Sequence, residues 1–442
     1  MQTWYLTNWE RVQLELIQAK EEGKDIKDYD EKVKSIENES YENREKYSGA
    51  LLDELNNLPV KDDFPFDEPN TLEEIKNNIS EFPKMDICID DEIIYDKIYG
   101  AWLGRIAGNW LGQPLESYSM TMGKNCIKAF LIEIGKWPLN EYIDFNLGDK
   151  IYKKFGLDNN LKKYSYNEGH SPEDDDINYT VLCLEIAKKY GKNFTSEDIA
   201  EAWLNNLPIL HTCTAERVAY SNLCQLIMPP KSAIYRNPYR EWIGAMIRGD
   251  LWGYINPGDP WRAAEYAYRD ASISHTKNGI YGEMFISAML ASAYLFDNPI
   301  DVINTGLSVI PKESRLKVAI QDVINWSKIE PDWEKCLNKI YEKYGHYNTT
   351  HTINNACIVA LSLIYGNKDF GKSICLAVMS GLDTDCNAAT VGSIVGLMIG
   401  AKKLPVKFIQ PICDTAMTGV YKYNVVKVSD LAKETLNLIK KD

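Results

Sequence analysis

Two clusters of carboxylates carry the spacing that could hold metal. In "SGLDTDCNAATVGSIVGLMIGA", Asp383 and Asp385 stand one residue apart, ahead of a run of small and apolar residues that reads as a buried helix. In "HSPEDDDINYTVLCLEIAKKY", Glu173, Asp174, Asp175 and Asp176 precede a helical pattern with Tyr179, Leu182, Ile186 and Tyr190 on one side. Bare carboxylates at the mouth of an apolar element are costly unless something compensates them. The helix macrodipole favours one or two in a first turn, by about 0.3–1 kcal/mol each. Four in succession repel one another and exceed what capping needs. No basic residue lies within either acidic run, so a cation is the natural counter-charge. Oxygen ligands from Asp175, Asp176, Asp383 and Asp385 suit Mg2+ or Mn2+, and together they could hold two divalent ions without any Cys or His.

The elements that must position these groups are helices. In "YGAWLGRIAGNWLG" glycines fall at 100, 104, 108 and 112, and in "NAATVGSIVGLMIG" at 392, 396 and 400. A four-residue step keeps each row on one helix face. Glycine costs about 1 kcal/mol per interior helix position relative to alanine, so such rows imply backbones in close approach. The runs are too short for a membrane pair, and Arg105 and Asn109 interrupt the first. The spacing therefore predicts two tightly packed central helices, either crossing or lying along each other. Helical periods recur over 95–112, 177–190, 197–206, 214–227, 241–251, 260–269, 281–296, 315–327, 333–344, 353–365, 370–379, 387–401 and 429–440, and few stretches alternate with period 2. This predicts an all-α domain of about a dozen helices.

Residues 1 to 90 differ in texture, being rich in Glu, Lys, Asn and Asp. "NWERVQLELIQAKEEG" has helical spacing at Trp9, Val12, Leu16 and Ile17, with Gly23 as its stop. Thr71 and Glu74 form a capping box ahead of another helix. This region reads as a helical N-terminal extension (1–90) on a main domain spanning 91–442.

The 442-residue chain is 45% hydrophobic and carries a net charge of −14. That balance argues against direct nucleic-acid binding. No apolar run reaches the roughly 20 residues of a membrane span, and the start lacks a secretory pattern. Ten scattered cysteines without a C-x-x-C pair fit reduced thiols in a cytoplasmic protein. Oligomeric state is not legible.

"YDKIYGAWLGRIAGNWLGQPLES", "EDDDINYTVLCLEIA" and "GLDTDCNAATVGSIVGLMIGA" resemble, in order, the three signature segments of the ADP-ribosylglycohydrolases, whose patterns run G-x-x-x-G-D-A-L-G-x-P-x-E, T-D-D-T and G-D-T-D-T. The resemblance covers about residues 92–440. It implies an all-α multi-helix orthogonal bundle with two divalent cations, Mg2+ or Mn2+, in a cleft. It also implies hydrolysis of a glycosidic bond at the anomeric carbon of ADP-ribose. Matched by motif, Asp175, Asp176, Asp383 and Asp385 fall on the metal-binding aspartates, and Glu116 on the glutamate that gates or assists catalysis. Glu116, Asp176 and Asp385 are the candidate catalytic groups.

The chain departs from the pattern at four places. Asn109 stands for the first segment's Asp, Asp174 and Ile177 for the threonines flanking the paired aspartates, and Cys386 for the final Thr. Asp174 replaces a hydroxyl with a full carboxylate and joins the metal set. Asn109 is then a candidate substrate contact. "DASISHTKNGIYGEMF" places His275, Asn278 and Gly279 where the resemblance puts a segment bordering the substrate cleft. "YGHYNTTHTINNACIVAL" places His351, Asn354 and Asn355 where it puts a ligand-contacting loop. Helix N-termini with polar side chains can bind phosphate, and equally these residues can serve as caps. In "LPILHTCTAERVAYSNL", Arg217 could meet a phosphate or pair with an acidic cluster. Glu116 follows Gly112 and Pro114, which predicts a loop position. The expected substrate is an ADP-ribosyl or related ribosyl compound. The alternatives are another free ribosylated small molecule, or a non-catalytic metal-binding scaffold of the same fold.

Overall fold

The two glycine rows meet. In the computed structural model, which describes residues 5–79, 85 and 90–440, the helices Asp91–Gly112 and Thr384–Ile399 run antiparallel. Gly100 faces Gly396, Gly104 faces Gly392, Gly108 faces Ala388 and Gly112 faces Thr384. The two helices pack as tightly as the spacing predicted, and the contact extends along both. A Cβ at Gly100 would lie 2.5 Å from the Gly396 carbonyl oxygen, and at Gly104 and Gly108 the overlap with facing carbonyl oxygens would be closer still. Gly108→Ala is therefore expected to destabilise the fold by roughly 1–3 kcal/mol, the usual cost of overpacking, although alanine is the better helix former. Denaturant unfolding checks this, and an unchanged or raised midpoint would contradict the close approach.

The fold is all-α, an orthogonal bundle in which the ridged pair is buried from Gly100 to Gly112 and over nearly all of Thr384–Ile399. Packed around it are Asp175–Tyr190, Asn278–Ala293, Thr352–Gly366 and Phe370–Ser380. A single apolar core runs through these helices, including Trp102, Trp110, Phe285, Ile358 and Val391. The strands Thr415–Met417 and Val425–Lys427 pair antiparallel. They make the one sheet among the described residues.

Most of the periodic segments are helices with ends within a few residues of expectation. The exception is 241–251, which folds as buried turns, with only Asp250–Tyr254 helical. Its backbone bonds go elsewhere: the Ile243 amide donates to the Thr350 carbonyl, and the Glu241 carbonyl accepts from the Thr352 amide. Two glycines weaken the helical alternative, and at Gly244 a side chain would collide with Glu216.

Among residues 5–79, Asn8–Glu21, Tyr29–Ile36 and Tyr41–Asn56 close a small core of their own around Val12, Leu16, Val33, Leu52 and Leu55. The Thr71–Glu74 capping box forms as expected, ahead of Leu72–Asn78. Two buried arginines tie this segment to the rest. Arg240 donates to both Glu15 (2.7 and 2.9 Å) and Glu22 (2.8 and 3.0 Å). Arg315 bridges Glu68 (2.7 Å) and Glu241 (2.8 Å).

Candidate active site

The antiparallel pairing places the end of one ridged helix beside the start of the other, and the acidic clusters gather there. The Thr384 hydroxyl donates to the Gly112 carbonyl at 2.9 Å, fixing the junction. Asp383 occupies the N-cap of its helix, yet its carboxylate makes no capping bond. Asp383 and Asp385 are 2% and 3% exposed, and one carboxylate oxygen of each has no hydrogen-bond partner. Buried polar atoms left in this state are costly. Asp174 behaves differently. It caps Asp175–Tyr190, accepting from the Asp176 amide at 3.1 Å, and also accepts from the Gln113 side chain at 2.8 Å.

Glu116 opens the short helix Glu116–Met122 rather than lying on a loop. Pro114 sits in the 3-10 turn Gln113–Leu115, where a missing N–H is tolerated, so it starts a new turn instead of ending helical structure. Its carboxylate reaches back to the junction. One ligand atom each from Glu116, Asp383 and Asp385 lie within 4.8 Å of one another. The same holds for Asp174, Asp175 and Asp176, and for Asp176, Asp385 and the Cys386 thiol. Asp385 and Asp176 link the three groups into one chain of donors.

Electrostatics follow from this crowding. Burial pushes the Glu116 and Asp385 carboxyls well above the usual carboxylate range, and facing carboxylates push further. Asp175 is raised by burial and by Asp174, and Asp383 is raised chiefly by burial. Asp176 has a protein counter-charge. The fully buried Arg105 donates to its side chain at 3.0 Å and to its carbonyl at 2.9 Å, and also to Asp250 at 2.9 Å. Asn109 donates to the other Asp176 oxygen at 3.1 Å. Arg105 and Asn109 stand four residues apart on one helix face, a signal present in the sequence, but their partner lies 67 to 71 residues further on.

Glu116, Asp174, Asp175, Asp383 and Asp385 line one cleft of about 530 Å³, a size suited to a small-molecule ligand. Asp176 sits behind its lining, which sets it back from a substrate, and each of its oxygens takes one hydrogen bond, from Arg105 and from Asn109, leaving lone pairs that can still face a cation. Glu173 is at the mouth, bonded to Asn178 and His211. Cys213, Glu216, Trp242, Asn348, Thr349 and Thr350 complete much of the wall. Glu216 is 2% exposed, and burial, offset by Arg248 at 2.8 Å, leaves its carboxyl at about 7.

The seven residues expected to touch substrate are not in this lining. Asn109 holds Asp176. Asn278 donates to Glu68 (2.8 Å) and Glu241 (2.9 Å), and the His351 ring lies 3.7 Å from Glu21. His275 bonds Ser274 at 2.8 Å, Gly279 packs under the Arg240 carbonyl, and Asn354 donates to the Asn348 carbonyl at 2.9 Å. Asn355 is nearest, accepting from the Asp383 amide at 3.3 Å and from Asn387 at 2.7 Å. It positions the cluster from beneath. Arg217 makes no ion pair with the cluster among the described residues, donating instead to the carbonyls of Leu210 and Thr212.

The sequence model of one family, described as ADP-ribosylglycohydrolase, matches residues 90–441. The chain belongs to the ADP-ribosylglycohydrolase family. That family comprises glycosidic-bond hydrolases that generally use divalent metals. A solved chain described as an "ADP-ribosylglycohydrolase-related protein complex" is similar at 15% identity and a TM-score of 0.48, covering 79% of this chain and 99% of its own. No curated protein matches the sequence. The carboxylates gathered at the helix junction, with their unpartnered buried oxygens, fit a hard divalent cation. Among the described residues no helix is long and apolar enough to cross a membrane.

Proposed function

We propose that this chain is a divalent-cation-dependent hydrolase of the glycosidic bond at the anomeric carbon of ADP-ribose. One observation carries the reading: Glu116, Asp383 and Asp385 converge in the cleft with two buried carboxylate oxygens left unpartnered. Asp174, Asp175, Asp383 and Asp385, with Asp176 behind them, would hold Mg2+ or Mn2+. Bound there, the cations would supply charge that polarises ribose hydroxyls and a water. Glu116 takes a proton from the water whose oxygen bonds to the anomeric carbon as the glycosidic bond breaks, and that proton then passes from Glu116 to the leaving group, which restores the carboxylate. Arg105 and Asn355 keep Asp176 and Asp383 in place, so little reorganisation is needed as charge develops. The test is turnover of ADP-ribosyl-arginine and ADP-ribosyl-serine with bound metal quantified. Stoichiometric metal with no turnover of either would favour a scaffold.

A free ribosylated small molecule is the second reading. Tyr5, from outside the family match, stands in the cleft wall and narrows the approach to a residue on a folded protein.

Cation binding is measurable without substrate. Asp383→Asn should weaken Mg2+ or Mn2+ binding by at least the roughly 10- to 100-fold that loss of a metal site's supporting partner costs, as read by calorimetric titration. The pH dependence has a definite sign. The raised carboxyls of Glu116, Asp175, Asp383 and Asp385 keep their protons in the cation-free folded chain at pH values where the unfolded chain has released them. That stabilisation is present at low pH and is lost as pH rises through the folded-state values. A cation must displace these protons, so the melting-temperature gain from saturating Mg2+ should grow between pH 5 and pH 8. A gain that shrinks with pH would contradict this arrangement.

A further inference from the structure

The donor chain at the helix junction contains one atom that is not oxygen. Cys386 lies in the first turn of Thr384–Ile399, is 6% exposed and lines the cleft. Its Sγ and one oxygen each of Asp176 and Asp385 lie within 4.8 Å of one another. Asp385 has an unpartnered buried oxygen and belongs also to the all-oxygen group with Glu116 and Asp383. The junction therefore offers two unlike donor sets that share Asp385, one hard and one mixed. Charge is also sufficient. One Arg105 guanidinium is shared between Asp176 and Asp250, so Asp176 keeps part of its charge, which adds to the Asp385 carboxylate and a Cys386 thiolate in balancing a dication.

We propose that Cys386 Sγ is a metal ligand, together with Asp385 and Asp176, and that this position prefers a borderline-soft dication such as Zn2+ or Co2+ over Mg2+. The inference rests on the reading that the cleft holds divalent cations, and changes what one of its positions selects. Thiolate sulfur favours the softer ions, whereas carboxylate and water suit Mg2+. On binding, the S–H bond breaks, an S–metal bond forms and the proton leaves to solvent, with no change of oxidation state.

The test is spectroscopic and needs no turnover. Co2+ titrated into the full chain should develop a sulfur-to-metal charge-transfer band, absent in Cys386→Ser and retained in Cys213→Ser, the control for the other thiol in the cleft. Cys386→Thr should lose at least tenfold of the Zn2+-over-Mg2+ preference, within the roughly 10- to 100-fold range for a changed metal environment, while keeping its Mg2+ affinity. Zinc X-ray absorption on the unaltered chain needs no variant to fold, and a sulfur scatterer near about 2.3 Å is expected. Cations bound with only oxygen or nitrogen neighbours, or a band that follows Cys213, would overturn the sulfur ligand and leave the cation reading standing. A chain that takes up no divalent ion of any kind would overturn both.

Discussion

Glu116→Gln is expected to lower kcat by roughly 100- to 10,000-fold, the range for a general acid–base group, with cation content near that of the unaltered chain. The substitution keeps the shape of the side chain and removes its ability to take a proton. Glu116 has the geometry for that task, since it faces Asp383 and Asp385 from the neighbouring helix start and lines the cleft. Its environment also sets the task, because burial and the surrounding carboxylates push its carboxyl well above the usual carboxylate range and a bound cation acts in the opposite direction. Three outcomes are separable by measuring metal and rate together. Loss of rate with metal retained assigns proton transfer. Loss of both makes Glu116 a ligand alongside Asp385. Retention of both removes it from the chemistry.

Arg240→Ala should destabilise the folded chain by about 3–5 kcal/mol, the cost of leaving buried partners without their counter-charge. Two buried glutamates lose their closest cation by this one change, since Glu15 and Glu22 share the guanidinium at side-chain exposures of 2% and 4%, and Glu22 keeps only the longer contacts to Lys24 (3.6 Å) and Lys277 (3.9 Å). The Arg240 guanidinium holds the Glu22 carboxyl well below the usual range despite its burial. That contribution is present at neutral pH and is lost as pH falls through the depressed value, so the deficit of the variant should narrow in acid. Denaturant unfolding with a probe on the Trp9 side of the molecule would report it. A loss confined to the 5–79 region, with cation binding intact, would show that the N-terminal segment undocks by itself. A single shared transition at lower denaturant would make it one cooperative unit with the rest.

The ridged helices and the acidic clusters were legible because both signals are local: a four-residue glycine step and consecutive carboxylates. What the clusters face was not. Arg105 reads in sequence only as an interruption of the glycine row, yet it pairs with Asp176 across 71 residues and with Asp250 as well. The buried turns at 241–251 carry an apolar period that suits a helix, and only the distant His351 loop, which takes their backbone bonds, decides otherwise. Asn278 and His351 look like ligand contacts by motif. In the fold Asn278 pairs with Glu68 and Glu241, and His351 faces Glu21. Glu21 and Glu68 come from a segment with no counterpart in the matched region, so a motif in the main domain could not announce them. Glu216 was hidden for a related reason, since a single glutamate in a helix's first turn is ordinary until Arg248 and Gly244 are seen around it.

The glycine seam has a mechanical consequence. Where side chains separate two helices, a substitution can be absorbed by rotamer changes, and the axes drift by fractions of an ångström. Here backbone meets backbone from Gly100 to Gly112, so nothing soft lies between the helix that leads into Glu116 and the helix that begins at Asp383. The spacing of those carboxylates is stored in main-chain geometry, like marks on two rulers clamped edge to edge. Replacements in the outer walls of the cleft can then reshape what enters it without altering the distances at its floor, which makes the recognition surface and the reactive centre separately adjustable parts of one chain.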